Sequence, residues 1–97
     1  MSRINKFIET IQTDESNWIV VRVKSSYQKY LKHEKANQVI RKILIESLKE
    51  DLVSILIEDN CVKVKVLEGK EEESIEKIKT QLAKHLGNPF KLIKLIR

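Results

Sequence analysis

A chain of 97 residues is one domain's worth, large enough for a single core, and its 41% hydrophobic and 34% charged side chains exclude a disordered tract. No apolar run approaches the roughly 18 residues of a membrane span, and the lone Cys61 excludes an internal disulfide. The formal net charge of +5 points towards an acidic partner, nucleic acid or an anionic surface.

In chain order, Ser2 is placed to cap a first helix over 1–14, where Ile4, Phe7, Ile8 and Ile11 recur at i, i+3, i+4 and i+7. The polar run TDESN at 13–17 ends it. Trp18 to Lys24 (WIVVRVK) is the first strand, with Ile19, Val21 and Val23 alternating against Trp18, Val20, Arg22 and Lys24. A long helix follows from Tyr27 to Lys49. Its buried stripe is Ala36, Ile40, Ile43, Leu44, Ser47 and Leu48, extended by Tyr27, Tyr30 and Leu31. The stretch EDLVSILIEDNCVKVKVLEG has the form of a hairpin. Val53, Ile55 and Ile57 alternate with Ser54, Leu56 and Glu58, and Val62, Val64 and Val66 face inward on the return. Between them, Asp59-Asn60 tolerates the left-handed conformation of a tight turn. The last helix opens on Glu71, Glu72 and Glu73, which suit its positive N-terminal end, and carries the stripe Ile75, Ile78, Leu82 and Leu86. Gly87 with Asn88-Pro89 stops it. FKLIKLIR at 90–97 suits a closing edge strand better than a helical turn. No internal repeat, low-complexity tract or Gly/Ser linker stands out.

After the first helix the order is strand, helix, strand, strand, helix, strand. With right-handed crossovers this is the split β-α-β of a ferredoxin-like fold, an α+β sandwich with both helices on one face of an antiparallel sheet. The fold class expected is therefore a single ferredoxin-like βαββαβ domain, its core at 17–97 and an extra N-terminal helix at 1–14. Strands 18–24 and 62–67 then lie side by side in the sheet centre, and their alternating Lys and Arg side chains emerge together on the helix-free face.

Chemistry beyond binding finds little support in the residue pattern. His33, His85 and Cys61 fall in different elements, with no His-x-His, Cys-x-x-Cys or His-Glu-x-x-His spacing. Two glycines leave no room for a Gly-rich phosphate loop. The expectation is a non-enzymatic protein with no metal and no cofactor. The constellation worth weighing is the basic sheet face, where Arg22, Lys24, Lys63 and Lys65 would meet phosphates and Trp18 would stack on a base, with Lys91 or Lys94 assisting. Sheet-face RNA readers of the RNA-recognition-motif type are similar in this order of elements. They present aromatics where this chain has Val20, Arg22, Lys63 and Lys65, which removes sequence-specific stacking as an expectation.

An open sheet needs polar cover, so the same lysines also suit a merely solvated face or the seat of the N-terminal helix, and single- or double-stranded nucleic acid is the leading named ligand. The alternative is a homodimeric or assembly subunit using the same face or a sheet edge, because Val20, Leu56, Cys61 and Leu67 share that side. The apolar stripe of residues 2–12, flanked by Arg3 and Lys6, suits packing on its own domain better than a membrane surface, since Glu9 interrupts it. The opening residues MSRINKFIET lack the apolar stretch of a signal peptide, so the location expected is cytoplasmic. The prevalence of Lys, Glu and Ile suits the ion-pair networks of a thermophile, and an AT-rich genome yields the same letters.

Overall fold

The computed structural model describes residues 8–86. They form β1 (Ile8–Thr13), β2 (Ile19–Val23), a 3-10 segment (Ser25–Lys32), α1 (Glu34–Leu48), a short 3-10 turn (Lys49–Asp51), β3 (Leu52–Ile57), β4 (Cys61–Val66) and α2 (Glu71–Leu86). The four strands make one antiparallel sheet in the order β1-β2-β4-β3. As the alternation implied, β2 and β4 are the central pair, with Ile19 opposite Val64 and Val21 opposite Val62. Buried side chains of α1 and α2 join Ile19, Val21, Val23, Val62, Val64 and Val66 in a single core on one face of the sheet.

The N-terminal helix is corrected over its described part: Ile8–Thr13 is a strand paired with β2. The cause is a β-bulge. Residues three apart in a regular strand point to opposite faces, but the register shifts between Ile8 and Thr10, so Ile8 pairs with Val23 and Ile11 with Val21. Both isoleucines therefore reach the core side at a spacing that imitates a helix. The element order changes accordingly. The outer position beside β2, expected for residues 90–96, is held by β1, and the expected closing strand itself lies outside the described residues. So do Ile4 and Phe7.

Three smaller expectations also change. The long helix from Tyr27 is broken at His33, whose backbone is extended, and only Glu34–Leu48 is α-helical. The Asn37 side-chain amide donates to the carbonyls of Leu31 and His33 and closes that break. Val53 does not face the core: β3 carries its own bulge between Leu52 and Ser54, which leaves Val53 56% exposed and turns Leu52 inward. The hairpin turn closes with the Glu58 N–H donating to the Cys61 carbonyl, and neither Asp59 nor Asn60 adopts a positive φ.

The two bulges belong to an internal repeat that is not evident in the sequence. Each half is strand, strand, helix, and the hairpin registers superimpose position by position. Ile8, Thr10, Ile11, Gln12 and Thr13 answer to Leu52, Ser54, Ile55, Leu56 and Ile57, and Ile19–Val23 answers to Val62–Val66. The central pairing is symmetric under the same exchange, with Val20 and Lys63 opposite each other at its centre. The buried helix positions follow suit: Ala36, Ile40 and Leu44 correspond to Ser74, Ile78 and Leu82. Unequal turns and helix connections hide this in a linear reading.

The repeat isolates one flaw in the core. Ser74 is buried and its hydroxyl has no hydrogen-bond partner among the described residues, whereas its counterpart is Ala36. A buried hydroxyl without a partner costs about 1–3 kcal/mol. Ser74→Ala is therefore expected to stabilise the fold by about 1 kcal/mol. A denaturant midpoint that fell instead would show that the hydroxyl has found a partner.

Candidate nucleic-acid interface

The face of the sheet turned away from α1 and α2 is built from alternate residues of the strands. β2 contributes Val20 and Arg22, and β4 contributes Cys61, Lys63 and Lys65. Across the ladders they meet Thr10 and Gln12 of β1 and Ser54 and Leu56 of β3. Trp18 precedes β2 and is half-buried. Side chains two apart on a strand stand roughly 7 Å apart, so Lys65, Lys63 and, diagonally, Arg22 form a short row of cations.

Of the five predicted site residues, Trp18, Arg22, Lys63 and Lys65 come together on this face. Lys24 does not join the strand array: it lies just past β2, half-buried, as the cap of the 3-10 segment. Ser54 shares the parity of Leu56 and joins the face as the alternation implies, whereas Thr10 and Gln12 belong to it without a sequence signal of period two, because the bulged β1 does not alternate. The signal available was the likeness of IETI at 8–11 to LVSI at 52–55.

Two of the lysines are already engaged. Lys65 Nζ donates to the Ser16 carbonyl at 2.7 Å and sits 6.0 Å from the centre of the Trp18 ring. A cation over an indole contributes about 0.5–1 kcal/mol at an exposed site. The loop beneath is held by Asp14, whose Oδ1 accepts from the backbone N–H of Ser16 at 2.8 Å and of Trp18 at 3.0 Å, while Asn17 takes a positive φ of 64°. The ring is thus positioned by its loop and by Lys65. Lys63 Nζ lies 3.9 Å from Glu58 Oε1, a long and partly exposed contact that contributes little and is readily exchanged for another anion. Arg22 is exposed, and no carboxylate among the described residues forms an ion pair with it.

Charge is distributed unevenly. All 14 acidic residues and 14 of the 19 basic ones fall within 8–86, so the described body is formally neutral, and Arg3, Lys6, Lys91, Lys94 and Arg97 carry the excess. Within that neutral body, β2 and β4 hold three cations and no acid. The remaining ion pairs, Lys70 with Glu73 and Lys79 with Glu76, are exposed and isolated on or beside α2. Among the described residues no ion-pair network of the thermophile kind is present.

Cys61 and Val20 are buried on this face, outside the main core cluster. Val20 stands between Gln12 and Lys63 across the two ladders. The Cys61 thiol donates to Glu58 Oε1 at 3.4 Å. Burial pushes its pKa up, and the bonded Glu58 carboxylate raises it further, against the pull of Lys63 and Arg22. A thiol held neutral and covered reacts slowly. Alkylation of native Cys61 at neutral pH is therefore expected to be much slower than in the unfolded chain, and faster in Glu58→Gln. Equal rates in the native variant and wild type would show that the carboxylate does not matter.

No group of three or more His, Cys, Asp or Glu side chains that could hold a metal occurs among the described residues, and no helix there is long and apolar enough to cross a membrane. The sequence matches no protein-family model, and no curated protein and no solved structure matches it.

Proposed function

We propose that this chain is a small nucleic-acid-binding protein with a binding rather than a catalytic role, which meets phosphates with Arg22, Lys63 and Lys65 and a base with Trp18. The observation that carries this reading is the charge segregation: a formally neutral body gathers three cations and no acid on its two central strands. A tryptophan lies beside them. Phosphates would replace Glu58 at Lys63 and the Ser16 carbonyl at Lys65, both exposed partners that are inexpensive to release. Lys24, at the end of β2, would lengthen the track. The fold we infer is of ferredoxin-like type: β2-α1-β3-β4-α2 has the connection order of that sandwich, with β1 in the place of the closing strand.

The sole tryptophan supplies the test. Titration with a single-stranded oligonucleotide is expected to quench Trp18 to saturation at low salt, with the effect fading as salt rises. Emission that never changes, with no salt-sensitive binding by any probe, overturns the proposal.

A second reading, a homodimeric or assembly subunit with no nucleic acid, is favoured by one observation. Leu56 and Leu67 are each 45% exposed on the β3 side of the sheet.

A further inference from the structure

We infer that the outer edge of β3 is a docking site for an extended segment of another protein, apolar with lysine or arginine at both ends, which it takes up as a fifth strand. The inference narrows the assembly reading to one edge and one kind of partner, and it does not rest on nucleic-acid binding.

The internal repeat acts as a control. Val53, Leu56 and Leu67 are exposed large apolar residues, and their counterparts in the first half are Glu9, Gln12 and Lys24. The same fold positions are polar in one half and apolar in the other, so the architecture does not demand hydrophobes there. Ile45, the remaining large apolar residue exposed among the described ones, is on α1, the helix that packs against β3. The exposed apolar surface thus gathers around one edge of the sheet. β1 (IETIQT) carries a charge in its bulge, a device that discourages pairing, whereas β3 (LVSILI) carries none.

The backbone of that edge is ready to pair. The Glu58 N–H donates to the Cys61 carbonyl, and along an antiparallel ladder bonded and non-bonded pairs alternate. Glu58, Leu56 and Ser54 therefore turn their N–H groups towards β4, and Ile55 and Ile57 turn theirs outward. Among the described residues no strand lies beyond β3. An added strand would bond to these groups and set apolar side chains against Val53 and Leu56.

Charge selects the occupant. Residues 49–59 hold four acids and one lysine within a formally neutral body, with Glu50-Asp51 before β3 and Glu58-Asp59 after it. Glu50, Asp51 and Asp59 make no ion pair among the described residues. Two β3 strands pairing antiparallel about a two-fold axis would set each acidic pair against the other copy's acidic pair, which disfavours direct self-pairing. β1 of a second copy complements β3 no better, since it carries Glu9 and runs into Asp14-Glu15. Neither described edge of this chain suits the site, and an apolar strand with basic ends from a different protein does.

The added strand would lie two strand spacings, roughly 10 Å, from the backbone of Lys63 and Lys65 on β4. The edge is therefore separate from the proposed phosphate track, and the two can be tested apart.

The test titrates the full-length chain with the synthetic peptide KKVTITVKK and follows amide hydrogen exchange by NMR. The Ile55 and Ile57 amides are expected to exchange fast in the free chain and roughly tenfold or more slowly with saturating peptide. The charge-reversed peptide EEVTITVEE is expected to bind roughly tenfold more weakly, and Glu50→Lys with Asp59→Lys to reverse that order. Val53→Glu with Leu56→Gln, side chains the first half already accommodates, is expected to abolish peptide binding with an unchanged circular-dichroism spectrum. A chain that binds the peptide but no oligonucleotide upholds this inference and overturns only the nucleic-acid reading. Equal binding of the two peptides, or none at millimolar peptide, overturns the inference. So do Ile55 and Ile57 amides already protected in the dilute free chain, which would show the edge occupied by the chain itself. Protection that grows with protein concentration alone overturns it in favour of a second copy.

Discussion

Replacing Leu44 by Ala will lower the stability of the fold by about 2–5 kcal/mol. Leu44 is fully buried in α1 within the core cluster. The loss combines the transfer energy of the missing atoms with the cavity left behind, because a helix held on one side by a sheet and on the other by α2 cannot collapse far. For a chain of this size, total stability is about 5–15 kcal/mol, so one substitution removes a large share of it. The melting temperature should fall by roughly 10–30 °C. The neighbouring Ile45 provides the control. It is 53% exposed on the same helix, and Ile45→Ala should shift stability by no more than about 0.5 kcal/mol. Similar losses at both positions would mean that the helix is packed on a different face.

The parts of this fold that are legible in the sequence are those with clean periodicity. β2 and β4 alternate valine with cations over their length, and their adjacency, their inward valines and the shared face of Arg22, Lys63 and Lys65 all follow from that alternation. The stripe from Ala36 to Leu48 and the span of α2 follow from helical spacing in the same way. β1 is not legible as a strand, and β3 is legible only past its bulge, because a bulge inserts one residue and breaks the period of two. In β1 it places Ile8 and Ile11 on one face at a helical interval; in β3 it exchanges Val53 for Leu52. The break at His33 is equally silent, since the Asn37 amide that closes it looks like any polar residue of a helix surface. The candidate site was within reach because it sits on the regular strands. Its members Thr10 and Gln12, which no alternation marks, sit on the bulged β1.

The second large effect concerns salt. Each phosphate contact releases counterions, giving a log–log slope of about −0.7 per contact for single strands. Arg22, Lys63 and Lys65 together imply a slope near −2, and participation of Lys24 brings it near −3. Between 50 and 200 mM salt the affinity of wild type should therefore fall by roughly 15- to 50-fold. The fold itself should be indifferent to the loss of these lysines, because the contacts of Lys63 and Lys65 are partly exposed and contribute little to stability.

The most direct measurement is the same salt series on the double variant Lys63→Gln, Lys65→Gln, with circular dichroism confirming the native spectrum. Removing two phosphate contacts should lower the magnitude of the slope by roughly 1.4 and leave the residual binding to Arg22 and its neighbours. A double variant that binds with the wild-type slope would show that the cations of β4 do not touch nucleic acid, and would contradict the proposed interface.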